Sequence, residues 1–170
     1  MTKSGITRRI DELGRIVIPK EIRNNLGIRD GEPLEIYVEN NSIVIKKFSQ
    51  VENIKDLSIK ICNIISDICK INILISDREK ILVASKTIEN LIGKNLTTDM
   101  KRLIDNRETY ISEKKDNIYS LDKYFTMVPI ITQSDCSGLI IVISDDKVDE
   151  NFVYAKLAGK LIVDSLDVSW

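Results

Sequence analysis

Gly5-Ile6-Thr7-Arg8-Arg9-Ile10-Asp11-Glu12-Leu13-Gly14-Arg15-Ile16-Val17-Ile18-Pro19-Lys20-Glu21-Ile22-Arg23 sets the organisation of the chain. Ile6 to Ile10 and Arg15 to Ile18 are β-prone runs. Between them Asp11-Glu12-Leu13-Gly14 ends on a glycine that supplies the positive φ of a tight connection. A hairpin-like unit is predicted. Pro19 suits the first position of a helix, where its missing N–H costs little, and Gly27 suits a left-handed stop after Leu26. A short helix is therefore expected between them.

Beyond that helix, Ile28-Arg29-Asp30-Gly31 reads as a turn, and Leu34-Glu35-Ile36-Tyr37-Val38-Glu39 alternates as a half-buried strand does. Asn40-Asn41 tolerates left-handed geometry, and Ser42-Ile43-Val44-Ile45-Lys46-Lys47-Phe48 returns as the second strand of a hairpin. Short strands and one small helix bury too little apolar surface for comfortable independent stability. Two copies are expected to share one barrel.

Charge is distributed unevenly. Residues 1 to 29 hold seven Lys or Arg against three Asp or Glu, a net of +4 in a chain whose total is -1. Arginine's planar five-donor fork binds phosphate or a guanine edge in a bidentate way that lysine cannot. A surface for double-stranded DNA is expected here, against the plainer reading that these arginines are solvated charges pairing with Asp11, Glu12 and Glu21.

The remaining composition excludes more than it assigns. The chain has no histidine, which removes Ser-His-Asp and Cys-His triads and the commonest zinc ligand. Cys62, Cys69 and Cys136 form no Cys-x-x-Cys pair and are expected as reduced, packed thiols. No spaced glycines make a phosphate loop around Gly93-Lys94-Asn95. An enzyme, a metal site and a cofactor are all unexpected. With no apolar run long enough to span a bilayer and no signal-like N-terminus, the expected place is the cytoplasm, associated with the nucleoid.

Residues 5 to 23 closely resemble the AbrB-type transition-state regulators, and the match continues through Leu26-Gly27-Ile28, Leu34-Glu35-Ile36 and Ile45-Lys46-Lys47. The resemblance implies a swapped-hairpin β-barrel formed as an intertwined homodimer, a fold shared with MazE-like antitoxins. It implies Arg8, Arg9, Arg15 and Arg23 as the DNA-contacting set, with Lys3 and Asn24 beside them. Many relatives carry a basic residue where this chain has Asn24, so one charge per subunit is missing and salt sensitivity should be weaker. An antitoxin-like module on the same head fold is the alternative.

A boundary is expected near residue 50, giving a head of residues 1–50 and a second domain of residues 51–170. Ile54, Leu57, Ile61, Ile64, Ile65 and Ile68 recur at helical spacing, which predicts a helix over residues 52–70. Strands follow at Ile71–Ile75 and Ile81–Ala84, a largely helical stretch at residues 88–106, strands at Tyr124–Ile131 and Gly138–Ile143, and a closing helix from Val148 to Leu166. The whole is α+β, the second half resembling a GAF domain, an antiparallel sheet flanked by helices. GAF domains commonly bind small molecules, so an unidentified ligand is a possible partner, with Tyr110, Tyr119, Tyr124, Phe125 and Met127 as pocket-lining candidates or core. Ala155, Ala158 and Gly159 are expected to let helices of different subunits approach closely, joining two dimers into a homotetramer. The resemblance to sporulation-type regulators of this two-part form implies the same assembly.

Overall fold

The computed structural model describes residues 5–132 and 135–167. The chain divides into two compact units, Met1–Phe48 and Ser49–Trp170.

In the first unit the two arginine-bearing runs form no strand. The turn between them is made: Gly14 takes φ +75°, its N–H donates to the Asp11 carbonyl at 3.0 Å, and Asp11 N–H donates to the Arg15 carbonyl at 3.1 Å. The expected pairing goes no further than this rung. Helix α1 spans Lys20–Leu26, with Pro19 just outside it as N-cap rather than at its first position. Gly27, at φ 63°, closes α1 by donating to the Asn24 carbonyl, and Ile28 N–H reaches back to the Arg23 carbonyl at 2.7 Å.

Strands β1 (Leu34–Glu39) and β2 (Ser42–Lys47) pair antiparallel, with Ile36 opposite Ile45 and Glu39 opposite Ser42. Asn40 and Asn41 supply the left-handed pair of angles, φ 47° and 60°, that matches strand twist in a two-residue turn. No described residue of this unit is buried. Ile36, Val38 and Ile43 are 66%, 76% and 68% exposed. The apolar face of the hairpin is complete, but its covering layer is not.

The second unit has that layer on both sides. After a single turn, α2 (Gln50–Asn53), comes α3 (Lys55–Cys69), so the expected helix over residues 52–70 is broken at Ile54. Strands β3 (Asn72–Ser76) and β4 (Ile81–Ala84) are followed by a 3-10 helix, Lys86–Leu91, and by α4 (Thr98–Asn106). The residues between those two helices do not merely interrupt them. They cover the β4 edge, with Gly93 N–H on the Ile81 carbonyl and Ile81 N–H on the Lys94 carbonyl. Then come β5 (Tyr110–Ile111), β6 (Asp116–Ile118), β7 (Leu121–Ile131), β8 (Cys136–Ser144) and α5 (Glu150–Asp167).

The main sheet runs β4-β3-β8-β7-β5, all antiparallel, with β6 paired to β7. Alternation along β8 explains its unbroken apolar run. Ile140 and Val142 join Ile61, Cys62 and Ile65 of α3 and Ala155, Ala158 and Ile162 of α5 on one face. Leu139, Ile141 and Ile143 join Leu91, Met100, Leu103 and Ile104 on the other. The result is an α+β sheet flanked by helices. Phe125 and Met127 are buried in the second cluster, with Tyr110 and Tyr119 packed at its margin, so these candidates for a pocket are core.

The small residues of α5 have a different use from the one expected. Ala155 and Ala158 lie in the core against the sheet, and a side chain at Gly159 would point at Ile140. They bring α5 close to its own sheet. Its outward residues are instead Val153, Leu157 and Leu161.

Among the described residues no helix is long and apolar enough to cross a membrane. Cys62 and Cys136 are buried in the two core clusters, and burial pushes the Cys62 thiol up to about 12 and raises that of Cys136, which disfavours the thiolate at both.

Gly138 sits where the sheet allows no side chain: a Cβ there would meet the Ser76 carbonyl oxygen at 1.9 Å. Backbone cannot yield as a flexible side chain does. Gly138→Ala is therefore expected to destabilise the protein by about 2–3 kcal/mol, read as a lower urea midpoint. An unchanged midpoint would contradict the close approach of β3 and β8.

Candidate nucleic-acid interface

The sequence places its arginines on two local structures, and each fixes its arginine differently. At the turn, Asp11 is the organising group. Its Oδ1 accepts from Leu13 N–H at 3.0 Å and Arg15 N–H at 2.8 Å, and its Oδ2 accepts from Arg15 Nε at 2.8 Å. Aspartate is suited to this, because its short side chain bonds backbone a few residues on. The Arg15 side chain is nevertheless 70% exposed, so its terminal nitrogens reach solvent. Arg8 and Arg9 are exposed on the run leading to the turn.

On α1, Arg23 is more enclosed. Its Nη1 bonds Asp30, its side chain is 36% exposed, and its Nε is buried without a hydrogen-bond partner. Asn24, next along α1, is exposed. Lys3 lies outside the described residues. The structure thus joins Arg15 to Asp11 and Arg23 to Asp30.

Sequence reasoning anticipated Asp11 only as a counter-charge and did not anticipate Asp30. The signal for Asp11 was its spacing: an Asp four residues before an Arg, across a turn ending in glycine. Asp30, seven residues beyond Arg23, comes near because Gly27 turns the chain back after α1.

Among the described residues no group of His, Cys, Asp and Glu could hold a metal ion. The interface has charge, donors and exposure, which suit binding of an anionic polymer rather than bond-making chemistry.

These features define a two-part chain: a small basic head and a helix-flanked sheet. Residues 7–52 match the family described as antidote-toxin recognition MazE, bacterial antitoxin. Residues 53–161 match the family described as stage V sporulation protein T C-terminal, transcription factor. The chain is 31% identical over 155 residues to stage V sporulation protein T of Bacillus subtilis (strain 168), covering 86% of this chain and 87% of that protein. Over 48 residues it is 52% identical to the transition state regulatory protein AbrB of the same organism, covering 28% of this chain and 50% of AbrB. Among solved structures, the cofactor-binding GAF domain of the nutrient sensor CodY from Clostridium difficile superposes with a TM-score of 0.48 at 16% identity, covering 64% of this chain and 83% of that one.

The chain belongs to the stage V sporulation protein T family of transcription regulators, with an AbrB-type head. It is a regulator of gene expression and not an enzyme.

Three N–H groups of residues 13 to 15 converge on Asp11 and hold its carboxyl below the ordinary 3.8, the Arg15 backbone N–H most, then the Arg15 side chain, then Leu13 N–H. A carboxylate with a lowered folded pKa contributes stability above its unfolded value, and the contribution is lost as pH falls through the folded value. Carboxyl-carbon NMR should find Asp11 titrating below 3.8. Arg15→Ala should move that midpoint upward, and a midpoint indifferent to residue 15 would sink this account of the turn.

Proposed function

We propose that the chain is a sequence-selective DNA-binding regulator of sporulation-type gene expression whose head binds double-stranded DNA as an intertwined swapped-hairpin dimer. The observation that carries this is the head's unburied state. Its apolar side chains Ile6, Ile10, Ile16, Val17, Ile36, Val38 and Ile43 are all exposed, while Arg8, Arg9 and Arg15 lie on runs with no strand partner among the described residues. A second copy would supply strands for those runs and cover for the hairpin. The dimer would then set two copies of Lys3, Arg8, Arg9, Arg15, Arg23 and Asn24 against the duplex, phosphate contacts positioning it and base-edge contacts adding selectivity. Such a protein works in the cytoplasm, on the nucleoid.

Residues 1–50 form the DNA-binding domain in this reading and residues 51–170 the assembly domain. Helices α3 and α5 pack side by side on one face of the sheet. Each keeps an outward apolar stripe, Leu57, Ile64 and Ile68 on α3 and Val153, Leu157 and Leu161 on α5. Pairing of these faces between chains would make a helical bundle and join two dimers into a homotetramer. A small-ligand response between the sheet and α4 would require Leu74, Met100, Phe125 and Met127, which fill that space as core, to move apart. The antitoxin reading rests on the MazE match of residues 7–52; it requires a toxin partner captured by the head and no dependence on duplex DNA.

Arg15→Ala is the clean test of DNA binding, because Arg23 also anchors Asp30 and its loss mixes folding with affinity. The variant should keep the thermal melt and lose about tenfold in duplex affinity by fluorescence anisotropy. For wild type, four arginines on each of two heads give a slope of log K against log salt of about -7. A flat salt dependence would count against the reading.

For assembly, Leu157→Glu with Ile68→Glu places charge on both stripes. Sedimentation equilibrium should show a tetramer becoming a dimer, and an unaltered mass would exclude these helices as the joint.

A further inference from the structure

Asp11 presents a puzzle for any nucleic-acid interface. It is an acidic group beside an arginine whose side chain is 70% exposed, where its charge opposes the approach of phosphate. If it served only to shape the turn, one side-chain oxygen would be enough. Oδ1 alone takes both backbone N–H groups, from Leu13 and from Arg15. Oδ2 is left for Arg15 Nε, at 2.8 Å.

That third bond has a geometric consequence. A guanidinium held at Nε is restrained in direction, with Nη1 and Nη2 as a fork at its far end. That end-on pair is the one that matches two acceptors of a phosphate or the O6 and N7 of guanine. Immobilising the fork before binding removes ordering entropy that a free arginine would lose on the duplex.

We infer that Asp11 is a positioning residue for DNA recognition: it holds Arg15 with its terminal fork turned outward, and so trades some non-specific attraction for selectivity. This rests on the reading that the head binds duplex DNA. Asp11 itself touches no base and no phosphate in this scheme.

Asp11→Asn separates the two roles of the carboxylate. The amide oxygen still accepts from Leu13 and Arg15 N–H, keeping the turn, but an NH2 donor replaces Oδ2 and faces the Nε–H donor. The substitution also removes one negative charge per subunit. Simple electrostatics therefore expects tighter binding, and positioning expects weaker specific binding.

The experiment uses the full chain and two probes of equal length, the duplex that wild type enriches most from a random pool and a scrambled duplex of the same base composition. With D11N, affinity for the enriched duplex should fall about tenfold, while affinity for the scrambled duplex holds or rises. In an Arg15→Ala background D11N should cause no further loss. Equal or tighter binding of the enriched duplex by D11N overturns the inference, as does an undiminished loss in the R15A background. If D11N lowers the thermal melt, Asp11→Ser decides: its hydroxyl oxygen still accepts from the turn N–H groups but leaves no second acceptor for Arg15 Nε, so selectivity must fall, and wild-type selectivity with serine overturns the inference. A wild-type chain that binds no duplex overturns the DNA reading and this inference with it; one that binds selectively, with D11N unchanged, overturns the inference alone.

Discussion

Apolar side chains that a single chain leaves uncovered govern this molecule more than any single bond does. An isoleucine or valine moved from water into a core stabilises by about 1.5–3 kcal/mol. In the first unit Ile36, Val38 and Ile43 stand on one hairpin with no layer across them, and Ile16 and Val17 stand on a run with no strand beside it. Hydrogen bonds of the β1–β2 ladder and the caps of α1 hold local shape, but they do not substitute for a core. The same shortage recurs in milder form on the second unit. There the sheet is sandwiched, yet α3 and α5 still offer a second stripe to solvent. Under the proposed assembly both shortages are met by copies of the same chain, so folding, oligomer formation and the shape of the DNA-binding face become one problem.

What was legible in the sequence follows from how local each signal is. Asn40-Asn41 between alternating strands, and Gly27 after Leu26, were read correctly because the required φ values belong to single residues. The buried strand β8 was legible from its apolar run, since a strand covered on both faces has no polar side to show. Residues 6–10 and 15–18 have strand composition yet form no strand, because composition is a local signal whereas pairing needs a partner in register, and only the rung between Asp11 and Arg15 is made. Strands β5 and β6 are two and three residues long, too short for any period to show, and their companion turn uses Tyr119 and Ser120 at positive φ in place of glycine or asparagine. Ala155, Ala158 and Gly159 were legible as a close-approach surface but not as to what approaches: they lie in the core of their own unit, Gly159 against Ile140 of the sheet. Of the candidate site, the arginines could be listed from charge alone, whereas the grip of Asp11 on Arg15 depends on three bond geometries that spacing only hints at.

The distribution of charge now acquires a structural meaning. Residues 1 to 29 carry +4, but Asp30, Glu32, Glu35 and Glu39 against Lys46 and Lys47 bring the head of residues 1–50 to +2, with residues 51–170 at -3. Duplex DNA would be attracted to one part and repelled by the other, which confines binding to the heads and keeps the helix-flanked sheet free for assembly. Asp11 and Asp30 carry that restraint into the head itself, each tied to an arginine of the interface. Under the proposed reading, a head restrained in this way would bind weakly where only charge is offered. Linking two such heads in one molecule raises the effective concentration of the second at a neighbouring site without adding a contact. Selectivity would then come from the fixed forks and from the spacing of paired sites, while total positive charge sets only the rate of encounter.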